Sequence, residues 1–192
     1  MRGCGNLLGA EQSGNIASVG LDMYAELMQE AVDALRGEAT ELKIEAEVNL
    51  PLSAYLPEDY ITDVQMRLLF YKRLANAETI EQLYEIFGEL SDRYGPAPKE
   101  AHSLKDTFEL KIMLAELGIR QMDANFTSII LDLGDNSKLD PAKLVSLMTM
   151  HPRQYTIRQD QKLIRYLTKS ESEALTETAA LYLDELKSRC FG

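Results

Sequence analysis

The sequence predicts an α+β fold, rich in helix, with a small mixed or antiparallel sheet that is preceded by a helical-hairpin segment. Apolar residues recur every three or four positions over most of the chain, which is typical of amphipathic helices. Two other stretches alternate between apolar and polar residues, as half-buried strands do. With 192 residues, 45% of them hydrophobic, the chain is long enough to bury a substantial core.

The first part of the chain changes from a helical to a strand period. Residues 21–37 carry apolar side chains at helical spacing: Leu21, Tyr24, Leu27, Met28, Ala31, Val32 and Leu35. Residues 42–50 then alternate apolar with charged or polar side chains until Pro51, which predicts a half-exposed strand. The change of period predicts a boundary, with one unit over residues 1–37 and a compact domain over residues 38–192.

Two amphipathic helices are predicted next. The first begins at Pro57, because proline is favoured in the first turn of a helix. The second begins at a capping box formed by Thr79 and Gln82. Gly95 followed by Pro96 ends it, since a left-handed cap followed by proline cannot continue a helix.

The middle of the chain predicts a central helix and then a strand. Residues 98–117 are apolar around much of the helical circumference, so this helix is expected to be central and to end at Gly118. The short β-branched run 126–134 predicts one strand. Asp140 followed by Pro141 provides an N-cap and a first-turn proline for a short helix.

The C-terminal part predicts a β-hairpin and a final helix. Residues 155–167 alternate on both sides of a polar turn, which favours two antiparallel strands. Ser170 and Glu173 have the spacing of a second capping box. The helix that follows has an apolar face made by Leu175, Ala179, Tyr182 and Leu186.

Charge and composition narrow the function classes. A formal net charge of −11 argues against a broad nucleic-acid surface, because such surfaces neutralise phosphates with clustered lysine and arginine. Cys4 and Cys190 lie near opposite ends of the chain, so their spacing supports neither a disulfide framework nor a zinc site. No run approaches the roughly 18 apolar residues of a membrane helix, and a cytoplasmic protein without a membrane segment is expected.

Residues that could carry catalysis are sparse. The chain has no Gly-Lys-Ser/Thr phosphate loop, and its two histidines, His102 and His151, have no partner at ligand spacing. Carboxylate pairs one helical turn apart, such as Asp59 with Asp63, are expected on a solvated face. We therefore expect no enzymatic activity, bound metal or cofactor in this chain.

The opening stretch "RGCGNLLGAEQSGNIASVGLDMYAELMQEAVDAL" resembles the end of the motor module of bacterial transcription-repair coupling factors. Later stretches are similar to the C-terminal domain of the same family: "VNLPLSAYLPEDYITDVQMRLLFYKRLANAET", "ELSDRYGPAP" and "LKIMLAELGIRQMD". The resemblance covers nearly the whole chain. It implies that residues 1–37 are the C-terminal half of a RecG-like translocation hairpin and that the chain is a fragment.

In this family the arginine that opens the loop and the glutamine before Ser-Gly couple ATP hydrolysis to movement along duplex DNA. The matching residues are Arg2 and Gln12. The resemblance places ATP and Mg²⁺ in motor domains that this chain lacks. It also implies that the parent factor displaces stalled RNA polymerase, moves on double-stranded DNA and recruits UvrA for nucleotide-excision repair.

The compact domain resembles the regulatory domain of these factors, which packs on a UvrB-like N-terminal region of the same protein and hides the UvrA-binding surface. Charged residues before the Gly-Pro turn hold this closed state in the family, and they match Glu89, Asp92 and Arg93. Two alternatives remain. One is an accessory DNA-binding domain of a helicase-like protein, with Arg67, Lys72 and Arg73 as its patch; the other is a small-molecule enzyme with a site assembled in space.

Overall fold

The structure, a computed structural model, describes residues 46–192. The predicted hairpin segment over residues 1–37, with Arg2 and Gln12, lies outside the described residues, and so does the start of the strand predicted at residue 42. Helices and short strands make up the described part, so the predicted α+β class with a small mixed sheet is confirmed.

The described helices and strands follow one another along the chain without a repeat. The helices are α1 (Val64–Ala75), α2 (Ile80–Tyr94), α3 (Lys99–Leu117), α4 (Pro141–Met150), α5 (Lys169–Glu173) and α6 (Leu175–Cys190). The strands are β1 (Glu47–Asn49), β2 (Gln121–Ala124), β3 (Ser128–Asp132), β4 (Tyr155–Ile157) and β5 (Lys162–Tyr166). Among these helices, none is both long and apolar enough to cross a bilayer.

The start of α1 differs from the prediction. Residues after Pro57 form a turn, in which the Ile61 amide donates to the Pro57 carbonyl at 3.1 Å. The helix begins only after Asp63, whose carboxylate accepts from the amides of Gln65 and Met66. An aspartate N-cap satisfies amides that have no partner within the helix, so it is the stronger start signal here.

The capping box predicted for α2 is partly formed. The Thr79 hydroxyl accepts from the Gln82 amide at 3.3 Å, as predicted. The Gln82 side chain accepts from the Glu78 amide at 2.9 Å, one residue earlier than a standard box requires. The helix ends at Gly95, which has a positive φ of 85°.

The five strands form one sheet in the order β1-β2-β3-β5-β4. Only the β1–β2 pair is parallel, and the other three pairs are antiparallel. The sequence predicted a single strand over residues 126–134, whereas the structure has a hairpin of β2 and β3. The Asn125 side chain accepts from the amides of Thr127 and Ser128, which closes the turn.

The main core lies between one face of this sheet and the helices α3, α4 and α6. Its fully buried members include Leu114, Met122, Ile129, Leu131, Leu163, Tyr182, Leu183 and Leu186. The opposite side of α3 packs against α2, which in turn packs against α1. Helix α3 is therefore central, as its apolar circumference predicted.

The predicted position of the capping box before the last helix is wrong. Thr168 and Glu171, not Ser170 and Glu173, exchange the two capping bonds. This box opens the short α5, and α6 starts separately after Ala174. The Glu171 carboxylate also accepts from Arg165 on β5 at 2.7 Å, so a contact from the sheet selects the capping residue.

Candidate functional site

The C-terminal end of α2 brings together the three charged residues that the sequence singled out. Glu89 is half-buried, and its carboxylate accepts from Arg73 of α1 at 2.6 Å. The other Glu89 oxygen lies 3.4 Å from Nε of Arg93, one turn further along α2. Glu89 therefore joins the two helices at the surface and orients two guanidinium groups.

Packing beneath this cluster holds Arg73 in place. The Arg73 guanidinium lies over the Phe70 ring, 5.3 Å from its centroid. Phe70 is fully buried and contacts the edge of the Tyr94 ring at 6.1 Å between centroids. Tyr94 also meets Tyr60, whose hydroxyl donates to the Gly95 carbonyl at 2.9 Å. An aromatic cluster thus supports the end of α2.

Asp92 and Arg93 present opposite charges to solvent. The Arg93 side chain is 51% exposed, and its ion pair with Glu89 engages only one of its guanidinium nitrogens. Asp92 is exposed and has no polar partner among residues 46–192. The pair is therefore available for a charged partner, and its role in an interdomain contact stays a prediction.

The alternative DNA patch on α1 is largely occupied within the domain. Arg67 donates to the Ile61 carbonyl at 2.6 Å and to Glu58 at 3.1 Å, and its side chain is only 13% exposed. Arg73 is held by Glu89. Lys72 alone of the three remains exposed without an ion pair in the described part of the chain. The geometry does not favour phosphate binding at this patch.

The candidate catalytic residues have surface positions or a capping role. His102 and His151 are both exposed. Asp63 caps α1 instead of pairing with Asp59 for acid–base work. Within residues 46–192, no group of histidine, cysteine, aspartate and glutamate side chains is placed to hold a metal ion.

Sequence reasoning missed a buried polar cluster between β4, β5 and α6. The Arg165 guanidinium lies 5.1 Å from the centroid of the Tyr182 ring and donates to Glu171. The Tyr155 hydroxyl donates to Glu185 at 2.8 Å. The Tyr155 and Tyr182 rings lie 5.8 Å apart. An arginine at a core-facing position of a strand was the one available signal, because such a position needs a partner.

This cluster predicts a loss of stability at alkaline pH. Burial, followed by the hydrogen bond to Glu185, raises the pKa of Tyr155 from 10.0 to about 12. The folded state therefore favours the protonated phenol, so this stabilisation is complete below pH 10 and is lost as the pH rises through about 12.

We expect Tyr155→Phe to flatten this decline, because phenylalanine has no proton to lose. A shift of this size corresponds to about 3 kcal/mol between the two ends of that range. Urea unfolding followed by circular dichroism across the range measures the free energy for parent and variant. Parallel declines in the two proteins would contradict the prediction.

Comparison with known proteins gives the family. The TRCF domain family model matches residues 50–144. The transcription-repair-coupling factor of Myxococcus xanthus is 41% identical over 85% of this chain, and that of Escherichia coli K12 is 35% identical over 97% of it. The chain spans only 14% and 17% of the length of these two relatives.

A solved structure agrees with the fold. The C-terminal domain of a transcription-repair coupling factor aligns with a TM-score of 0.60, at 20% identity, over 75% of this chain and 94% of that domain. At this identity the match supports the architecture alone. The relatives are several times longer than this chain, so the chain matches one part of a larger protein in each of them. The chain belongs to the transcription-repair-coupling factor family.

Proposed function

We propose that the described domain is the regulatory, autoinhibitory domain of a transcription-repair coupling factor. In this proposal it packs on the UvrB-like N-terminal region of the same protein and covers the surface that binds UvrA. The observation that carries the proposal is the charged end of α2, where Asp92 and Arg93 face solvent on a rigid aromatic support. Displacement of RNA polymerase and movement on DNA are assigned to other regions of the factor.

The physical character of this surface suits a contact that must open. Exposed ion pairs contribute about 0 to 1 kcal/mol each, and salt screens them. A closed state held by a few such pairs is therefore only slightly lower in free energy than the open state. Engagement of the factor with RNA polymerase and DNA can outweigh that margin and expose the UvrA surface.

The three charged residues have different expected roles at the interface, because they differ in exposure and in their existing contacts. Asp92 and Arg93 are free to pair across an interface, because their charged groups are exposed. Glu89 is already bonded to Arg73 and Arg93, so it acts as a positioning residue that holds the guanidinium groups in place. Neutralising Glu89 should therefore weaken the contact less than reversing the other two charges.

We expect the double variant D92R/R93E to bind the cognate UvrB-like region about five- to thirtyfold more weakly than the parent chain. Two exposed attractive pairs become repulsive, which costs about 1 to 2 kcal/mol in total. Isothermal titration calorimetry of this chain with that region measures the change. Raising the salt concentration should weaken the parent complex and reduce the difference in affinity between the parent and the variant.

The control is R158E/D160R, which reverses one positive and one negative charge in the exposed β4–β5 turn and also leaves the net charge unchanged. It should bind as the parent does. Equal affinity of parent and D92R/R93E would remove Asp92 and Arg93 from the interface.

A further inference from the structure

The β4–β5 hairpin and its flanking residues carry an excess of positive charge, although the protein as a whole is acidic. Residues 151–169 contain Asp160 as their single acidic residue. The same stretch contains five basic residues: Arg153, Arg158, Lys162, Arg165 and Lys169. The whole chain has a net charge of −11, so this concentration of positive charge sets the hairpin apart.

Four of the five cations are not used within the described domain. Arg165 faces the core, where it binds Glu171 and stacks on Tyr182. The side chains of the other four have no ion pair or hydrogen bond with any described residue: Arg153, Arg158, Lys162 and Lys169. Unpaired cations at this density attract a polyanion, because binding releases its condensed counterions.

Two exposed aromatic rings lie at one end of the same surface. Tyr166, the last residue of β5, is 49% exposed, and Phe126 in the β2–β3 turn is 63% exposed. The Leu167 amide donates to the Thr127 carbonyl at 2.9 Å, which ties this turn to the end of β5. Tyr166 also pairs with Ser128 across the sheet. The backbone segments that carry the two rings are therefore held next to each other.

The alternation of side chains along β5 puts a positive charge and an aromatic ring on the same face of the sheet. Leu163 faces the core formed with α3, α4 and α6, so Lys162, Ile164 and Tyr166 face the opposite side. Lys162 and Tyr166 are about 13 Å apart along β5 at the usual rise of a strand. Arg158 extends the positive charge beyond Lys162, and Arg153 precedes Gln154, whose carbonyl accepts the Tyr166 amide.

We propose that this outer hairpin face, defined by Phe126, Arg153, Arg158, Lys162 and Tyr166, binds single-stranded DNA. The cations would contact successive phosphates while bases stack on the two rings. Exposed rings favour a single strand over a duplex, because the bases of a duplex already stack on one another. They also favour a single strand over an acidic peptide, which has no requirement for flat apolar surfaces.

Fluorescence anisotropy with a labelled oligo-deoxythymidine of about 12 nucleotides tests this assignment on the whole chain. The parent should bind at low salt, and about three phosphate contacts predict a slope of log K against log salt of about −2. R158E/K162E should weaken binding at least tenfold. Tyr166→Ala should weaken binding about five- to 150-fold, the range for loss of one stacked base, whereas Tyr166→Phe should bind as the parent does.

The matched control is K72E/K99E, which changes the net charge equally on α1 and at the start of α3 and should bind within about twofold of the parent. Circular dichroism confirms that each variant is folded. Absence of salt-dependent binding, or equal loss in R158E/K162E and K72E/K99E, would overturn the proposal. A glutamate-rich peptide that binds more tightly than the oligonucleotide, or a tenfold preference for RNA of the same sequence, would also overturn it.

Discussion

Phe70→Ala is expected to lower the free energy of unfolding by about 3 to 5 kcal/mol, the range for truncating a fully buried phenylalanine. Phe70 is 0% exposed and fills the space between α1 and the end of α2. Its removal leaves a cavity that rigid neighbouring helices fill only in part. Urea unfolding followed by circular dichroism measures the loss.

The same substitution should disturb the charged surface. Arg73 loses the ring beneath its guanidinium, so its bond to Glu89 is less well ordered. Binding to the UvrB-like region should therefore weaken even at temperatures where the variant remains folded. Leu69→Ala is the neighbouring control, since Leu69 is 45% exposed and should change stability by about 0.5 kcal/mol or less. Similar losses for the two variants would contradict the packing described for α1.

Gly118→Ala is expected to lower the free energy of unfolding by about 2 to 4 kcal/mol, through backbone strain and a steric clash. Gly118 ends α3 in the left-handed conformation with a φ of 66°. A Cβ atom there would lie 2.1 Å from the carbonyl oxygen of Asn136. The loop after β3 would have to move, although the Lys138 amide binds it to the Leu117 carbonyl at 2.9 Å.

Gly88→Ala is the matched control for this effect. Gly88 lies inside α2, and a Cβ atom there meets nothing within 4 Å. Alanine should therefore stabilise the protein by about 0.5 to 1 kcal/mol, because glycine loses more backbone entropy in a helix. The two Gly→Ala variants should change the urea midpoint in opposite directions. An unchanged or higher midpoint for Gly118→Ala would show that the space around Gly118 can adapt.

Long periodic helices were predictable because their signal is local. The periodicity of α2 and α3, and the stops at Gly95 and Gly118, follow from residues within a few turns of each other. The start of α1 was not predicted, because Pro57 and Asp63 both offer start signals and the turn bonds around Ile61 decide between them. Strand β2 was missed because its sequence QMDA has no β-branched residue. One of its two partner strands, β1, is also distant in sequence.

In the candidate site, too, the local features could be predicted from the sequence and the contacts between helices could not. The resemblance indicated Glu89, Asp92 and Arg93, and helical spacing alone predicts that they share one end of α2. The bond between Glu89 and Arg73 could not be predicted, since it depends on how α1 packs against α2. That packing also occupies Arg73, one cation of the patch proposed on α1. A second, Arg67, is held by Glu58 and the Ile61 carbonyl in the turn before α1.

The sequence by itself determined the fold class, the central helix α3 and the family, because these depend on periodicity and on motifs that are contiguous in the chain. Only the tertiary structure decided which charges are used internally and which are left to solvent. Arg67, Arg73 and Arg165 are bound within the domain, whereas Arg153, Arg158 and Lys162 are not. The physical reason is that an ion pair forms between side chains brought together by packing, and the order of residues along the chain does not specify that contact.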